Sequence, residues 1–194
     1  YPFTTEHGPH GGLVMSNWQF SANRHPEALL DGLSQFDFID GGNCEFAALA
    51  FAQFDSAGNV NVSKFGNSNP GAGGFIDIAH NARQLLFAGT FTTAGLQIET
   101  DQNGLHIRKE GNVRKFVDSA EQITYPVRNG IINRGQRAQI ITERAVFEVT
   151  AEGLVLEEVA KGVDVRRHII EQMEFAPVHI ADKPRLMDDA LFAH

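Results

Sequence analysis

The stretch QLLFAGTF, residues 84–91, decides the fold class of this chain. It is apolar almost without interruption, and a short run of this kind is typical of a strand buried on both faces of a parallel or mixed sheet. The residues just before it, 76–82, are predicted to form a helical turn. A helix followed by a fully buried strand predicts an α/β domain.

Strand patterns outnumber helical patterns in the rest of the sequence. Residues 46–54 and VNVSKFG, residues 60–66, flank the turn SAGN and predict a hairpin of two buried strands. LQIET and LHIRKE flank DQNG, and IITERAVFEVT and LVLEEVA flank AEG, so two further hairpins are expected to be exposed. No repeat or linker divides the sequence, and we expect one domain over residues 1–194.

Helices are predicted near the two ends of the sequence. HPEALLDGL, residues 25–33, has Pro26 at a favoured helix start and predicts a short helix. QFDFID, residues 35–40, alternates its phenylalanines and predicts a half-buried strand before a glycine turn. A last helix is predicted to begin at Asp164, and the residues after Pro177 are expected to be irregular.

Composition and charge exclude several classes of protein. The chain carries 16 Lys and Arg against 24 Asp and Glu, a formal net charge of -8 without a basic run, so nucleic acid is not expected as a partner. The single cysteine, Cys44, excludes an intrachain disulfide and a four-cysteine zinc site. No apolar stretch reaches the roughly 20 residues that cross a bilayer, and signal-peptide features are lacking. We expect a cytoplasmic protein with no membrane partner.

Two loops carry the residues most suited to chemistry. Glu6 lies in TTEHGPHGG, residues 4–12, where threonines favour extended backbone and the glycines and proline favour turns. NSNPGAGGF, residues 67–75, has glycines that let N–H groups approach a ligand oxygen closely. Its candidate oxyanion donors are the amides of Gly71, Gly73 and Gly74. From the residues alone, Glu6 has two interpretations: a catalytic carboxylate or a solvated carboxylate of a loop.

A series of sequence blocks resembles the family I coenzyme A transferases over nearly the whole chain. The blocks are EHGPHGG, QFDFIDGGN, GNVNVSKFG, GAGGFIDI, LLFAGTFTTAGL, KFVDSAEQITY, ITERAVFEVTAEGLVLEEVAKGVDV and LMDDALF. The resemblance is closest to the single-chain acetate and propionate CoA-transferases, in which an α-like half precedes a β-like half. It implies that residues 1–194 are the C-terminal, β-subunit-like half, a fragment without its α-like half, which suits a chain that opens on Tyr-Pro-Phe without a Met.

The resemblance also implies a fold, a site and a reaction. The fold is the CoA-transferase (NagB/RpiA-like) open α/β domain, with a mixed, mainly parallel sheet flanked by helices plus β-hairpins. The family's nucleophilic glutamate, in an E-x-G element, falls on Glu6. The family's G-x-G-G-F loop, which lies against the reacting thioester and here supplies the oxyanion and substrate contacts, falls on Gly71, Ala72, Gly73, Gly74 and Phe75.

The implied activity is transfer of CoA between an acyl-CoA and a short-chain carboxylic acid, by a ping-pong mechanism through a glutamyl-CoA thioester on Glu6. A glutamate is ionised at neutral pH, so it attacks a thioester carbonyl without a general base. CoA is then a substrate, and no permanently bound cofactor is expected. Phe75 or Phe91 is expected to shield the reacting groups from water. Acyl-CoA hydrolysis on the same scaffold, or a non-catalytic assembly role beside the α-like half, remain alternatives, and a homo-oligomer is expected.

Other polar residues have a functional and a structural interpretation. Gly41, Gly42 and Asn43 either contact the pantetheine or acyl group of CoA or form a plain turn. Lys64 either reaches a CoA phosphate or is solvated. His7 and His10 stand in a run too rich in glycine for a metalloprotease helix, so no metal site is expected. Cys44 is interpreted as a buried small residue, and Glu143 with Arg144 as a structural ion pair.

Overall fold

The computed structural model describes residues 3–192. Its N-terminal layer consists of four two-residue strands and one helix, namely β1 (Pro9–His10), β2 (Leu13–Val14), β3 (Asn23–Arg24), β4 (Ala28–Leu29) and α1 (Gly32–Phe38). β1 pairs with β4 and β2 pairs with β3, both antiparallel. A wide helical turn at Ile39–Asn43 follows α1 and leads into the central sheet.

The other elements alternate less regularly than in a simple βαβ repeat. They are β5 (Phe46–Ala50), β6 (Gln53–Asp55), β7 (Asn59–Asn61), α2 (Phe75–Asn81), β8 (Gln84–Ala88), β9 (Thr92–Thr93), β10 (Gln97–Asp101), β11 (Gly104–Lys109), β12 (Val113–Arg114), β13 (Phe116–Val117), β14 (Tyr125–Pro126), α3 (Val127–Arg134), β15 (Arg137–Ile141), β16 (Ala145–Val149), β17 (Leu154–Val159), α4 (Val165–His168) and β18 (His179–Leu186). Single 3-10 turns lie at Asn17–Gln19, Ile170–Gln172 and Asp189–Leu191.

Six strands form the central sheet, in the order β18-β17-β16-β15-β8-β5. β8 lies between β5 and β15 and is parallel to both, as QLLFAGTF predicts. β16 is antiparallel to its two neighbours, and β17 is parallel to β18. In a four-stranded sheet, β13-β6-β7-β14, β13 is parallel to β6 and the other pairs are antiparallel. The hairpin β10-β11 adds another antiparallel pair. The predicted α/β class, with a mixed sheet, helices and hairpins, is confirmed.

The core is built from the strands that periodicity marks as buried. Phe87, Ile140, Phe147 and Leu156, one from each of β8, β15, β16 and β17, are fully buried in a single apolar cluster. Phe75, at the start of α2, joins the same cluster and stacks on Phe87 with ring centroids 6.2 Å apart. Each such side chain contributes about 1.5–3 kcal/mol through removal from water. The cluster therefore fastens α2 to the sheet.

The direction of α2 places the glycine-rich loop at one edge of the sheet. Phe75 begins α2 and stacks on Phe87 near the end of β8, whereas the end of α2 comes just before β8 begins. The carboxyl end of the helix is held by buried Gln136, whose Nε2 donates to the carbonyl oxygen of Ala79 at 2.9 Å. α2 is thus antiparallel to β8, and the loop before it lies toward the carboxyl ends of the parallel strands.

Two predictions in the N-terminal layer are wrong. Residues 25–33 do not form a helix: Ala28–Leu29 is extended and pairs with β1. The helix begins later because the Asp31 side chain accepts hydrogen bonds from the N–H groups of Leu33 and Ser34, at 3.1 and 3.2 Å, and caps α1. QFDFID is consequently the end of α1 and the following turn instead of a strand.

Three predictions beyond residue 139 also need correction. The run 140–150 is not one strand, because the chain reverses at 142–144 between antiparallel β15 and β16. The hairpin of β16 and β17 is part of the central sheet and contributes to the core, so it is not an exposed hairpin. The tail after Pro177 forms β18, an edge strand that tolerates Pro184. Asp164 does cap a helix, as predicted, but that helix ends at His168.

Candidate active site

Glu6 lies at the tip of a loop that hydrogen bonds fasten at its base. The Thr5 N–H donates to the Pro9 carbonyl oxygen at 3.2 Å, and the Gly8 N–H donates to the Thr5 carbonyl oxygen at 3.0 Å. Gly8 adopts a φ of 101°, and a Cβ there would collide with the Leu30 carbonyl oxygen, so glycine is required at this turn. The Glu6 side chain is half-buried.

The glycine-rich loop meets the Glu6 carboxylate directly. The N–H of Gly74 donates to Glu6 Oε1 at 3.3 Å, across 68 residues of sequence. A Cβ added to Gly73 would lie 3.5 Å from the same oxygen, and one added to Gly74 would lie 3.1 Å from Glu6 Cδ. The E-x-G and G-x-G-G-F elements are therefore in contact in the folded chain.

The amides of the loop are engaged to different extents. The N–H of Gly71 donates to the Ser63 carbonyl oxygen at 3.3 Å, and that of Gly74 donates to Glu6. Within residues 3–192, the N–H groups of Ala72 and Gly73 donate to no protein acceptor. The N–H groups of Ala72 and Gly73 are therefore available to a ligand oxygen. The N–H of Gly74 becomes available when it leaves the Glu6 carboxylate.

Phe36 is a neighbour of the site that the sequence did not reveal. A Cβ on Gly74 would lie 2.5 Å from Phe36 Cζ, so the ring on α1 is in contact with the glycine backbone beside Glu6. Only a residue without a side chain allows this approach. Phe36 appears in the sequence as one of two alternating phenylalanines, a pattern that indicates a strand and gives no sign of this contact.

Phe75 and Phe91, the residues expected to shield the reacting groups, have their rings in the core. Phe91 is fully buried with its centroid 4.7 Å from that of Phe116, and Phe75 stacks on Phe87. Both rings belong to the apolar core cluster, and the shielding role stays a prediction. Phe75 anchors the start of α2, and through it the glycine-rich loop.

The weaker CoA-binding candidates lie apart from Glu6. Gly41, Gly42 and Asn43 form the exposed turn after α1, and Asn81 Nδ2 at the end of α2 donates to Asp40 Oδ1 at 2.8 Å. This turn is therefore at the opposite end of α2 from Gly74, about 10 Å away at 1.5 Å per helical residue. Lys64 is exposed and belongs to the same connection as Gly71. The structure does not bring either group against the carboxylate.

A buried ionic cluster lies where β15 turns into β16. Arg144 is 0% exposed, and its guanidinium donates to Glu143 Oε1 and Glu110 Oε1, each at 2.6 Å. Glu143 Oε2 in turn accepts from the N–H of Phe91 at 2.8 Å. The predicted structural pairing of Glu143 and Arg144 is confirmed, with Glu110 as a third member that the sequence did not indicate.

Lys115 is a second buried cation, and the sequence did not single it out. Its Nζ lies 3.8 Å from the centroid of the Phe51 ring. Burial lowers the pKa of Lys115 to about 8, an effect partly offset by the Glu143 carboxylate. A Cβ on Gly89 would lie 2.6 Å from Nζ, so the ammonium occupies the space that glycine leaves open.

His7 and His10 lie in the loop of Glu6, and Cys44 follows the turn at Ile39–Asn43. His7 is exposed, whereas His10 Nε2 is 2.8 Å from Gln35 Oε1. In residues 3–192, no three His, Cys, Asp or Glu side chains are grouped as metal ligands. Cys44 is partly buried, and burial raises the pKa of its thiol, which lowers its reactivity. No helix in the described range is long and apolar enough to cross a bilayer.

Comparison with known proteins connects this geometry to a family. The chain is 42% identical over 189 residues to acetate CoA-transferase YdiF of Escherichia coli K12, covering 97% of this chain and 35% of that protein. It is 38% identical over 195 residues to caffeate CoA-transferase of Acetobacterium woodii, covering 98% of this chain and 37% of the relative. The chain thus spans about a third of the length of these curated relatives. No family model matches the sequence.

Solved structures show the same relationship in three dimensions. The acyl-CoA transferase YdiF apoenzyme from Escherichia coli O157:H7 matches with a TM-score of 0.89 and 41% identity, over 98% of this chain and 36% of that chain. Glutaconate CoA-transferase from Acidaminococcus fermentans matches with a TM-score of 0.67 at 15% identity, over 95% and 72% of the two chains, which shows a shared fold. The family prediction is confirmed: this chain belongs to the CoA-transferases.

Proposed function

We propose that this chain supplies the nucleophile of an enzyme that transfers CoA between an acyl-CoA and a short-chain carboxylic acid. The observation that carries the proposal is the contact between Glu6 Oε1 and the N–H of Gly74. This contact places a carboxylate against backbone amides that suit a developing oxyanion. The proposal is supported by relatives named as acetate and caffeate CoA-transferases, and by a YdiF structure described as a thioester complex with CoA.

The proposed reaction needs no general base. The Glu6 carboxylate attacks the acyl-CoA carbonyl, the C–S bond breaks, and an acyl-glutamyl anhydride and CoA thiolate form. The thiolate then attacks the Glu6 carbonyl, which releases the first carboxylate and leaves glutamyl-CoA. A second carboxylate attacks the Glu6 carbonyl and expels the thiolate, which attacks the new acyl group. The products are the new acyl-CoA and free Glu6.

The amides of the glycine-rich loop stabilise the oxyanions that form in the proposed reaction. Each attack on the Glu6 carbonyl places negative charge on an oxygen of that side chain, where the Gly74 N–H already lies at 3.3 Å. Shortening of this bond in the transition state stabilises the oxyanion, with an effect on the order of 3 kcal/mol for one preorganised donor. Ala72 and Gly73 have N–H groups that suit the oxygen of the transferred acyl group.

An α-like half is proposed as the partner that completes the site. The N-terminal layer around Glu6 exposes large apolar side chains, among them Leu13, Trp18 and Phe20. Exposed apolar groups in this number mark a surface suited to contact with another protein surface. The relatives have about twice the length of this chain in addition to the matched part, which is enough for such a half. We further propose an oligomeric enzyme that acts in the cytoplasm.

The proposal is tested with the chain assembled with its α-like half. CoA transfer from acetyl-CoA to a second short-chain carboxylate is measured for the wild type, Glu6→Gln and Glu27→Gln. Glu27 is the matched control, because it is an exposed glutamate of the same layer that does not contact Gly74. We expect Glu6→Gln to lose transfer by at least about 1,000-fold and Glu27→Gln to retain it. Retained transfer in Glu6→Gln would reject the proposal.

Hydrolysis and transfer are distinguished by measuring free CoA thiol and new acyl-CoA with and without an acceptor carboxylate. A transferase produces a stoichiometric amount of new acyl-CoA when the acceptor carboxylate is present and releases little free thiol without it. A hydrolase releases free CoA at the same rate with or without the acceptor. Thiol release that is independent of the acceptor would assign the same nucleophile to hydrolysis.

A further inference from the structure

We infer that Gln35 is a positioning residue that holds the backbone of Glu6 for catalysis, an inference that rests on the proposed function. Gln35 is 0% exposed, although it belongs to α1, a helix whose other residues are largely solvated. Glutamine is rarely buried to this extent unless its amide is fully bonded. Its side chain therefore has a structural task that its position on a surface helix does not suggest.

The amide of Gln35 joins both sides of the loop that carries Glu6. Gln35 Nε2 donates to Thr4 Oγ1 at 2.9 Å and to the Thr5 carbonyl oxygen at 3.2 Å. Gln35 Oε1 lies 2.8 Å from His10 Nε2 and accepts a hydrogen bond from it. Thr4 and Thr5 lead into Glu6, and His10 follows it. One side chain thus spans the loop at its base.

The hydrogen-bond directions in this network are mutually consistent. Thr4 Oγ1 donates to the Pro9 carbonyl oxygen at 2.9 Å, so its lone pairs are free to accept from Gln35 Nε2. Both groups that face Nε2 are acceptors, which fixes the orientation of the amide. His10 must then carry its proton on Nε2 in order to donate to Oε1. A buried amide with each group satisfied in this way holds its partners in one arrangement.

Phe36, the next residue of α1, contacts the glycine-rich loop. Phe36 is in contact with Gly74, the residue whose N–H reaches Glu6. Adjacent residues of one helical turn therefore touch the two loops of the site, Gln35 on the carboxylate side and Phe36 on the amide side. α1 sets the separation between nucleophile and oxyanion donor, and the role of Gln35 follows from that geometry.

Such control has a kinetic consequence without a contact to substrate. A misplacement of about 1 Å in a reacting group lowers the rate of a positioned reaction by about 100-fold. Loss of the Gln35 hydrogen bonds releases Thr4 and Thr5 and lets the Glu6 carboxylate leave the Gly74 N–H. We expect kcat to fall with little change in KM, because Gln35 does not contribute to substrate binding.

The test compares two buried glutamines, Gln35→Met and Gln136→Met, in the chain assembled with its α-like half. Methionine keeps the volume of glutamine and removes its hydrogen bonds. Gln136 is the matched control, because its amide also bonds backbone carbonyls but at the end of α2 farthest from Glu6. The readouts are the rate constant and final amplitude of CoA adduct formation on Glu6 after rapid mixing with acetyl-CoA, with Tm measured in parallel.

We expect Gln35→Met to slow adduct formation by about 10- to 100-fold at unchanged amplitude per folded molecule. Gln136→Met is expected to lower Tm while its rate stays within about 2-fold of the wild type. Gln35→Glu, which keeps an acceptor for His10 but opposes the Thr5 carbonyl, provides a second variant and is expected to be slow as well. A wild-type rate in either folded Gln35 variant overturns the inference. Absence of any adduct in the wild type instead rejects the proposed function.

Discussion

The central sheet and the N-terminal layer are stabilised by different forces. Phe116 and Ile140 are fully buried in the apolar cluster that the central sheet shares with the four-stranded sheet, whereas Leu13, Trp18 and Phe20 of the layer are 68%, 88% and 71% exposed. The layer is held mainly by polar contacts, such as the Thr5 hydroxyl to the Ser21 carbonyl oxygen at 2.7 Å. The candidate nucleophile therefore belongs to a hydrogen-bonded layer, and its oxyanion donors belong to a loop anchored in the apolar core.

This difference explains why the site is sensitive to small changes. Burial of apolar area tolerates shifts of a few tenths of an ångström, whereas hydrogen bonds weaken steeply with distance and angle. The Glu6 to Gly74 contact joins the two regions, so its length depends on both. Substitutions in the apolar core should mainly change the free energy of unfolding. Substitutions at the contact between Glu6 and Gly74 should mainly change the rate of the reaction.

The largest expected effect is on the apolar core, to which Phe116 of β13 belongs. Phe116→Ala removes a fully buried ring that contacts Phe91 and Phe147, with centroids 4.7 and 5.4 Å away. We expect the free energy of unfolding to fall by about 3–5 kcal/mol through lost transfer energy and a cavity. Urea denaturation followed by circular dichroism measures it. A loss below about 1 kcal/mol would mean that the cluster does not dominate the stability of the chain.

The second largest effect is expected on the turnover number, through the contact between Glu6 and Gly74. Gly74→Ala introduces a Cβ that would lie 2.5 Å from Phe36 Cζ and 3.1 Å from Glu6 Cδ. Because the carboxylate and the amide must separate, we expect the turnover number to fall by about 100-fold. Gly32→Ala is the matched control, since a Cβ at Gly32 meets nothing within 4 Å. Equal turnover numbers in the two variants would show that the contact has no catalytic importance.

A smaller effect is expected in the pH dependence of the free energy of unfolding, through Lys115. Burial lowers the pKa of Lys115 to about 8 from 10.5, so above pH 8 the unfolded chain binds more protons at this residue than the folded chain. The contribution of Lys115 to stability should therefore rise between about pH 8 and 10.5. Relative to Lys115→Met, the wild type should gain on the order of 2 kcal/mol in the free energy of unfolding. Parallel curves for the two proteins over this range would contradict the burial of this cation.

The smallest effect on stability is expected in the layer. Replacing Leu13, Trp18 and Phe20 singly by serine should change the free energy of unfolding of the isolated chain by less than about 0.5 kcal/mol each, because these side chains are already in water. The same changes should weaken association with the α-like half, which sedimentation velocity measures. A loss above about 1 kcal/mol would show that the layer does have an apolar core of its own.

The fold was most predictable where one physical signal acts alone. The apolar run QLLFAGTF predicts a buried strand, and its first five residues form β8, Gln84–Ala88, between two parallel neighbours, whereas the strand ends before Gly89. Residues 25–40 were mispredicted because local signals compete there. The helix-start preference of Pro26 is overruled by pairing of β4 with β1, a contact between segments that are separate in sequence, and by the Asp31 cap.

The candidate site was predictable only in part, for a related reason. Glu6 and the glycine-rich loop were indicated by the family resemblance, but composition and spacing alone do not indicate their contact across 68 residues. Gln35 and Phe36 were missed because a buried glutamine and a ring against a glycine leave no periodic signature. They are identified by three-dimensional contacts with Thr4, Thr5 and Gly74.

The most direct test of the account is the identity of the residue that binds CoA covalently. The chain assembled with its α-like half is incubated with acetyl-CoA, quenched in acid, digested and analysed by mass spectrometry. We expect the mass of CoA, less one water, on the peptide that contains Glu6, and its loss when an acceptor carboxylate is added before quenching. CoA mass on another residue, or none on any peptide of an enzyme that turns over, would contradict the account.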